Sequence, residues 1–436
     1  MAEIIERRSI ERVPDSERTT GFLPLFFLWT GFVIAIGRLW QGGVIAGAGF
    51  WAAIAAYALA QVLMMTTAIG AFMGASEGLP GTMIMRSAFG VRGGIIPSIP
   101  MIIGTVGWFG VQLGMTASAL DLIITSLYGG WGVSLNVQYV VWSVLMGVIS
   151  IFGYKAVLWF QKFVSPLLII LLPWMFYKMI VNYDVMATIS KPVEITMGFW
   201  QAVTLISGGG LAMLIGAADS SRYAKSRKTA FNGYMAANWT VGILIVYVGT
   251  LGAFLVGVWD PAGIVDKLGL GFLGLLIVVL SAWSTNCINP YWGGIALSTL
   301  TSGTRFSKNG MPRVLSTSIV VGLGAISAIA GIYSVSGFMV FVRIMAGTLA
   351  PANGIIIADY FFLRGRGKNR LSADDLTKQG GKYWYWHGWN PVALIAWTVG
   401  IIYSYSVRST YWLVPPFSTQ VVAGILYYFL MRKRIR

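Results

Sequence analysis

Long apolar runs alternate with short polar stretches along almost the whole chain of 436 residues. An α-helix rises about 1.5 Å per residue, so a run of about 20 apolar residues can cross the hydrocarbon core of a bilayer. The pattern therefore predicts an all-α integral membrane protein with twelve transmembrane helices. They are expected at residues 22–46, 50–74, 96–125, 137–153, 157–180, 197–221, 231–257, 269–300, 315–331, 335–363, 390–407 and 412–431.

The polar stretches divide this predicted membrane protein into five parts. The N-terminus is charged and lacks the short apolar core and cleavage site of a signal peptide, so we expect the first helix to direct insertion. The parts are a cytoplasmic N-terminal tail at 1–21, helices one to five at 22–180, helices six to ten at 181–363, a cytoplasmic loop at 364–389, and helices eleven and twelve with a basic tail at 390–436.

The chain is strongly basic, with 31 lysines and arginines, 15 aspartates and glutamates, and a formal net charge of +16. Such an excess can indicate nucleic-acid binding, but only 11% of the residues are charged, against about 25% in typical soluble domains. The positive residues concentrate in both termini and in alternate loops, which places both termini in the cytoplasm by the positive-inside rule. We therefore expect a multi-pass protein of the cell (inner) membrane that has no nucleic-acid partner and functions as a monomer.

Glycines interrupt two of the predicted helices at comparable positions. The first helix contains GRLWQGG around residue 40, and the sixth contains Gly208, Gly209 and Gly210 in succession. Paired glycine-broken helices indicate an inverted repeat of five plus five helices, with the substrate at the two breaks. This interpretation places Gly209 and Gly210 at the substrate site. The alternative is close packing of neighbouring helices through small residues.

Trp108 and Gln112 lie four residues apart in the third predicted helix and therefore on one helix face. An indole offers a flat stacking surface, and a carboxamide offers both a donor and an acceptor. Together they suit a planar heterocycle with carbonyl and N–H edges. As structure alone, the same pair is core packing with an interhelical hydrogen bond.

Ser284 and Thr285 supply adjacent hydroxyls in the eighth predicted helix, within LSAWSTNCINPYWGG. Hydroxyls beside the freed carbonyls of a broken helix can form a small all-oxygen cation site of the kind that transporters use for sodium. Serine and threonine also bond back to the carbonyls of their own helix, which is the alternative without a ligand.

Five short motifs spread over nearly the whole chain are FGVRG after the second helix, GWFGVQ in the third, AADSSRY ending the sixth, WSTN in the eighth and IIADY ending the tenth. Together they resemble the nucleobase–cation symport-1 family, near the cytosine and purine permeases. The resemblance implies twelve helices with a five-plus-five inverted repeat and broken first and sixth helices. It also implies import of a nucleobase or related small planar N-heterocycle with Na+ or H+ by alternating access.

The resemblance further implies roles for individual residues. Trp108 matches a tryptophan that stacks on the substrate, and Gln112 matches a polar substrate contact. Asn286 and Asn289 fall in the stretch that supplies substrate hydrogen bonds. The implied sodium ligands are the backbone carbonyls of Gly31, Ile34 and Ser281 and the hydroxyls of Ser284 and Thr285. No cofactor is implied apart from this coupling ion.

The chain departs from the family pattern at three positions. Gly210 stands where members often place an aromatic residue, Cys287 stands where the cytosine branch has an aspartate, and Arg38 stands where that branch has a small residue. A lost acid and a gained base favour a carbonyl-rich or anionic substrate, because a guanidinium presents a planar fork of donors. The alternative function is thus a symporter for a small anionic or carbonyl-rich metabolite that Arg38 recognises.

Arg38 has three interpretations, because a charged side chain within a membrane helix marks a pathway, a buried pair or a ligand site. It is paired structurally, with Asp121 as one possible partner, it contacts the ligand, or its charge takes the place of a coupling cation. A fixed charge near a sodium site opposes sodium binding, which leaves proton coupling open. Arg343 in the tenth helix is expected to line an outward vestibule with Arg38.

The sequence also bears on two other classes of protein, channels and enzymes. An ion or solute channel is an alternative, although the chain has no repeated filter sequence. An enzyme is not expected, because the sequence has no histidine cluster, no G-x-S-x-G nucleophile motif and no Walker A lysine. The single cysteine, Cys287, excludes an intramolecular disulfide.

Overall fold

A computed structural model gives the structure of residues 6, 8–130, 132–190, 194–211, 213–303, 307, 310–365 and 370–434, with the side chains of residues 335, 336 and 339 left undescribed. Parts of the predicted N-terminal tail (1–5 and 7), of the predicted cytoplasmic loop (366–369) and of the basic tail (435–436) therefore lie outside the described residues. The described regular structure is helical apart from two isolated bridges.

Twenty α-helices follow one another along the described chain, and α18 continues into a short π-helix, Ala358–Leu363. They are α1 Phe22–Val33, α2 Ile36–Ile45, α3 Phe50–Met64, α4 Ala68–Glu77, α5 Gly81–Phe89, α6 Ile95–Tyr128, α7 Leu135–Phe152, α8 Tyr154–Asn182, α9 Val185–Ile189, α10 Phe199–Gly209, α11 Met213–Ser221, α12 Arg227–Trp239, α13 Val241–Val256, α14 Pro261–Lys267, α15 Gly271–Asn286, α16 Asn289–Thr301, α17 Arg313–Ile329, α18 Val335–Ile357, α19 Pro391–Ser406 and α20 Pro415–Met431.

Eight helical stretches among the described residues are long and apolar enough to cross a membrane, and α1 with α2 adds a ninth when the bent pair counts as one span. Three further helices, α17, α19 and α20, coincide with predicted spans but have only 17, 16 and 17 residues and are not among these stretches. The all-helical membrane architecture is therefore confirmed, whereas the count of twelve spans stays a prediction.

The first predicted span is broken at Ile34 and Ala35, where α1 and α2 meet at a bend of 53°. The glycines around residue 40 do not mark this break, so that part of the prediction is wrong. Gly42 and Gly43 lie inside α2, where an added Cβ would overlap the backbone carbonyls of Val246 and Trp259. These glycines serve close packing against a neighbouring segment, which was the alternative interpretation.

The sixth predicted span is interrupted at its glycines. α10 ends at Gly209 and α11 begins at Met213, with Gly210 between them. The interruption lies beside α6 and the α1–α2 break, since Gly209 faces both Trp108 of α6 and Gln41 of α2. Two discontinuous helices therefore meet at one place in the fold.

Buried ion pairs and charge-assisted hydrogen bonds tie together the end of the molecule that holds the N-terminal tail. Arg222 lies 3.1 Å from Glu6, and Arg364 lies 2.6 Å from Asp359. The buried carboxylate of Glu77 accepts hydrogen bonds from the Tyr360 hydroxyl at 2.6 Å and from the Leu371 amide at 2.8 Å. We call Glu6, Glu77, Arg222, Asp359 and Arg364 the tail-side ion network.

Helix α5 carries another buried cation at the same end. The Arg86 side chain is 2% exposed and donates to the backbone carbonyls of Thr299 at 2.8 Å and Leu376 at 3.2 Å. Burial lowers the pKa of Arg86 to about 10, so the guanidinium remains charged at neutral pH. Charged groups at this end therefore have polar partners supplied by the protein.

Candidate functional site

A central cavity of about 60 Å³ lies where the two discontinuous helices meet α6 and α16. On the same measure one water needs roughly 10–15 Å³, so the cavity has room for a small molecule. Six of the residues singled out for the substrate site line it, together with the hydroxyl-bearing Thr285: Arg38, Trp108, Gln112, Gly209, Gly210 and Asn289.

Trp108 forms one wall of the central cavity. Its ring is held edge-on by Phe338 and Phe341 of α18, each with its ring centroid 5.6 Å away. A Cβ added at Gly37 or Gly209 would lie 3.6 or 3.5 Å from the indole, so the glycines keep side chains away from this part of the ring. The indole is thus positioned by aromatic contacts while part of its surface faces open space.

Gln112 brings an unsatisfied hydrogen-bond acceptor to the same cavity. The residue is 2% exposed, and its Oε1 has no hydrogen-bond partner among the described residues. A buried polar atom without a partner is rare in native structures, because it has lost its water without replacement. An N–H group of a bound molecule would satisfy this oxygen.

Gly209 and Gly210 leave room for two other side chains. A Cβ at Gly209 would come within 2.7 Å of Gln41 Nε2, and one at Gly210 would overlap the terminal methyl of Met64. Gln41 and Met64 therefore occupy the space beside the α10–α11 break, where the family pattern has an aromatic. Phe32 and Trp292, with ring centroids 4.9 Å apart, supply other aromatic surface in the cavity wall.

The two asparagines do not occupy equivalent positions. Asn289 lines the cavity and donates from Nδ2 to Asn286 Oδ1 at 3.0 Å. Asn286 is fully buried outside the cavity wall, where its own Nδ2 donates to the Phe109 carbonyl at 3.1 Å. Asn289 is therefore placed to contact a ligand, and Asn286 holds the Asn289 side chain in position.

Arg38 lines the cavity with its guanidinium bonded to neutral groups. It donates to the Tyr57 hydroxyl at 3.1 Å and to Asn238 Oδ1 at 3.3 Å, and it lies 3.6 Å from the Met213 sulfur. No carboxylate of the described residues lies within ion-pair distance of it. Asp121, named above as one possible partner of Arg38, does not pair with it.

Asp121 and Arg343 both lie away from the central cavity. Asp121 accepts a hydrogen bond from Gln138 of α7 at 3.5 Å, because α6 turns this carboxylate towards α7. The Arg343 side chain on α18 is exposed and is not part of the cavity wall. The structure therefore does not bring Arg38 and Arg343 together in one vestibule.

The residues predicted to bind a cation meet where α1 ends. Carbonyls in the last turn of a helix have no intrahelical partner, and here hydroxyls of α15 reach two of them. Ser284 Oγ lies 2.7 Å from the Gly31 carbonyl, and Thr285 Oγ1 lies 3.3 Å from the Phe32 carbonyl. Thr285 Oγ1 also lies 3.1 Å from the Ser281 carbonyl, and Ile34 is the residue at the break itself. This cluster of hydroxyl and carbonyl oxygens fits a hard cation such as sodium.

Three residues of this region were not predicted from the sequence. Gln161 of α8 contacts Ser284 through both ends of its carboxamide, and Gln41 and Trp292 line the central cavity. A glutamine within an apolar helix is itself a signal, because polar residues in membrane helices are costly. Its neighbours, however, follow only from the packing of distant helices.

The chain is similar to known membrane permeases in sequence and in fold. A sequence model of the family described as permease for cytosine/purines, uracil, thiamine, allantoin matches residues 12–429. The chain is 28% identical to the hydantoin permease of Microbacterium maritypicum, over 89% of this chain and 82% of that protein. It is 24% identical to the allantoin permease of Bacillus subtilis (strain 168), over 83% of this chain and 79% of that protein.

Among solved structures, the chain is similar to Mhp1, a nucleobase-cation-symport-1 family transporter, in a closed conformation with bromovinylhydantoin bound. The TM-score is 0.83 at 24% identity, and the match covers 99% of this chain and 96% of that one. The helical fold is therefore that of a known class of membrane transporter.

Proposed function

The chain belongs to the family of permeases for cytosine/purines, uracil, thiamine and allantoin, and from this premise we propose that it imports a nucleobase or related small planar N-heterocycle together with a cation. The membership confirms the resemblance seen in the motifs and the class of permease rather than enzyme. The observation that carries the proposal is the cavity at two helix breaks, where Trp108 faces open space beside the unpartnered Oε1 of Gln112.

The polar groups of the cavity suggest how such a ring is held. Its face stacks on Trp108, an N–H donates to Gln112 Oε1, and ring carbonyls accept from Arg38. Asn289 stands beside these groups, supported by Asn286. The names of the hydantoin and allantoin permeases, and the bromovinylhydantoin bound to Mhp1, support a carbonyl-rich ring as the substrate class.

The coupling ion in this proposal is Na+, with H+ as the alternative. A sodium ion at the carbonyls of Gly31, Ile34 and Ser281 and the hydroxyls of Ser284 and Thr285 would join α1 to α15. Thr285 also lines the central cavity, so the ion and the substrate would stabilise the same arrangement of α1. Each would then raise the affinity for the other by the same factor, which is the thermodynamic basis of symport.

The membrane arrangement is also part of the proposal. The protein would cross the cell (inner) membrane twelve times, with both termini in the cytoplasm. It would function as a monomer. Residues 22–180 and 181–363 would form the two halves of a five-plus-five inverted repeat that rocks between outward and inward states. The pairing of the α1–α2 break with the α10–α11 break supports this repeat.

A second candidate function follows from Arg38. Its positive charge lines the cavity with only neutral partners among the described residues, so a ligand with a carboxylate or another anionic group would supply the missing negative charge. Arginine forms strong, charge-assisted hydrogen bonds to such groups. This candidate is a symporter of the same mechanism for a small anionic or carbonyl-rich metabolite.

Uptake into proteoliposomes tests the proposed function. We expect saturable accumulation of labelled hydantoin, allantoin, uracil or cytosine above the external concentration under an inward sodium gradient. A proton gradient in place of the sodium gradient identifies the coupling ion. Equilibration that is neither saturable nor dependent on a cation gradient would instead indicate a channel, and accumulation of an organic acid alone would favour the second candidate.

A further inference from the structure

Gln161 of α8 lies against the cluster of oxygens at the end of α1. Its side chain is fully buried, and its Nε2 donates to the Ser284 carbonyl at 2.7 Å. This bond fixes the orientation of the carboxamide, because a flipped side chain would oppose two oxygens. The Oε1 atom is thereby directed to Ser284 Oγ, which lies 2.8 Å away.

The same oxygen lies directly over Gly31. A Cβ added at Gly31 would overlap Gln161 Oε1 and would lie 2.5 Å from Ser284 Oγ. Gly31 therefore has no side chain because the carboxamide of Gln161 occupies that space. Oxygens from three separated helices, α1, α8 and α15, converge on one point.

The serine hydroxyls around Gln161 Oε1 carry fewer protons than there are carbonyl and carboxamide oxygens within hydrogen-bond distance of them. Ser284 has one hydroxyl proton but lies within hydrogen-bond distance of both the Gly31 carbonyl and Gln161 Oε1. Ser165 likewise has one proton for the Phe27 carbonyl at 2.7 Å and for Gln161 Oε1 at 3.2 Å. Each hydroxyl therefore makes two close oxygen–oxygen contacts but can place its proton in only one of them. The other contact in each case joins two oxygens with no proton between them.

We propose that Gln161 Oε1 is a further ligand of the coupling sodium ion, in addition to the five residues assigned to that site above. The inference rests on the proposed sodium symport. A cation among these oxygens would stabilise the contacts between oxygens that have no proton between them. The ligand set would then join α8 to α1 and α15, and sodium binding would stabilise the contact among all three helices.

Sodium titration of the thermal stability of the purified, substrate-free protein tests this inference. Choline chloride keeps the ionic strength constant, and the melting temperature is measured against sodium concentration. In Gln161→Met, which keeps the volume but loses the oxygen, we expect the half-maximal sodium concentration to rise about tenfold or more. In Gln161→Glu we expect it to fall, and to fall further as the pH is raised, because a carboxylate adds negative charge.

Gln138→Met is the matched control, since Gln138 is another buried glutamine but lies on α7 beside Asp121. Its substitution is expected to lower the melting temperature without changing the half-maximal sodium concentration. If Gln161→Met behaves in the same way, Gln161 only packs α8 against α15 and the inference is wrong, while the proposed function stands. If the native protein itself responds equally to sodium and choline, both this inference and sodium coupling are overturned.

Discussion

Charged side chains have oppositely charged partners in the tail-side ion network but not in the central cavity. In the network, Arg364 lies 2.6 Å from the buried carboxylate of Asp359, and that carboxylate also accepts from Ser87 and Tyr427. In the cavity, Arg38 has only neutral partners among the described residues, and Gln112 Oε1 has none. A buried charge that the fold pairs with an opposite charge indicates structure, whereas a charge and an unsatisfied acceptor that line a space without such a pair indicate a ligand.

The comparison predicts where a substitution will damage stability and where it will damage binding. Breaking a buried pair leaves an uncompensated charge, while removing a side chain whose partner is a ligand leaves the empty protein nearly unchanged. The two regions can therefore be separated by measuring unfolding and ligand binding on the same variants.

The largest effect is expected for Arg364→Ala. Asp359 is fully buried, so its unpaired carboxylate should lower the free energy of unfolding by roughly 3–5 kcal/mol. Denaturant unfolding of the purified protein measures the change. Arg370→Ala is the control, because Arg370 and Asp15 form an exposed pair, and we expect no resolved change from it. Equal losses from the two variants would contradict the assigned role of the tail-side ion network.

A smaller effect, on binding rather than stability, is expected for Arg38→Gln. Hydrogen bonds to charged groups contribute about 1.5–3 kcal/mol, so the affinity for a carbonyl-rich or anionic ligand should fall roughly 10- to 100-fold. Calorimetric titration measures the affinity, and the loss of unfolding free energy should remain below that of Arg364→Ala. An unchanged affinity with a large loss of stability would place Arg38 among the structural charges instead.

A comparable or slightly smaller effect is expected for Trp108→Ala. Stacking of a planar ring on an aromatic side chain contributes about 1–3 kcal/mol, and this variant should lose that affinity. Trp142→Ala is the matched control, because Trp142 packs edge-on against Trp283 and lies outside the cavity wall. Similar ligand affinities in Trp108→Ala and Trp142→Ala would show that Trp108 does not stack on the substrate.

Local sequence signals predicted much of this arrangement. The spacing of Trp108 and Gln112 put them on one helix face, and the structure places both in the cavity wall. The adjacency of the Ser284 and Thr285 hydroxyls is visible in the same way, whereas their contact with the last turn of α1 was implied only by the family resemblance. Spacing and adjacency depend on helix geometry within a few residues, which a sequence displays directly.

Features that depend on packing between distant segments were not predictable in this way. Gly42 and Gly43 looked like a helix break, but they accommodate backbone carbonyls about 200 residues away. The partners of Arg38 come from α3, α11 and α12, so charge alone suggested Asp121 wrongly. Gln161 meets Gly31 and Ser284 only because three helices converge, and no local pattern records that convergence.

A thermal-shift screen with nucleobases, hydantoins and small organic acids, each in sodium or potassium, tests the central claim most directly. A ligand that binds the native state raises the melting temperature with its concentration. We expect a planar, carbonyl-rich heterocycle to raise the melting temperature of the native protein more in sodium than in potassium, and Trp108→Ala to reduce this shift strongly at the same ligand concentration. A shift that is the same in Trp108→Ala and indifferent to the cation would contradict the claim that this cavity is the transport site.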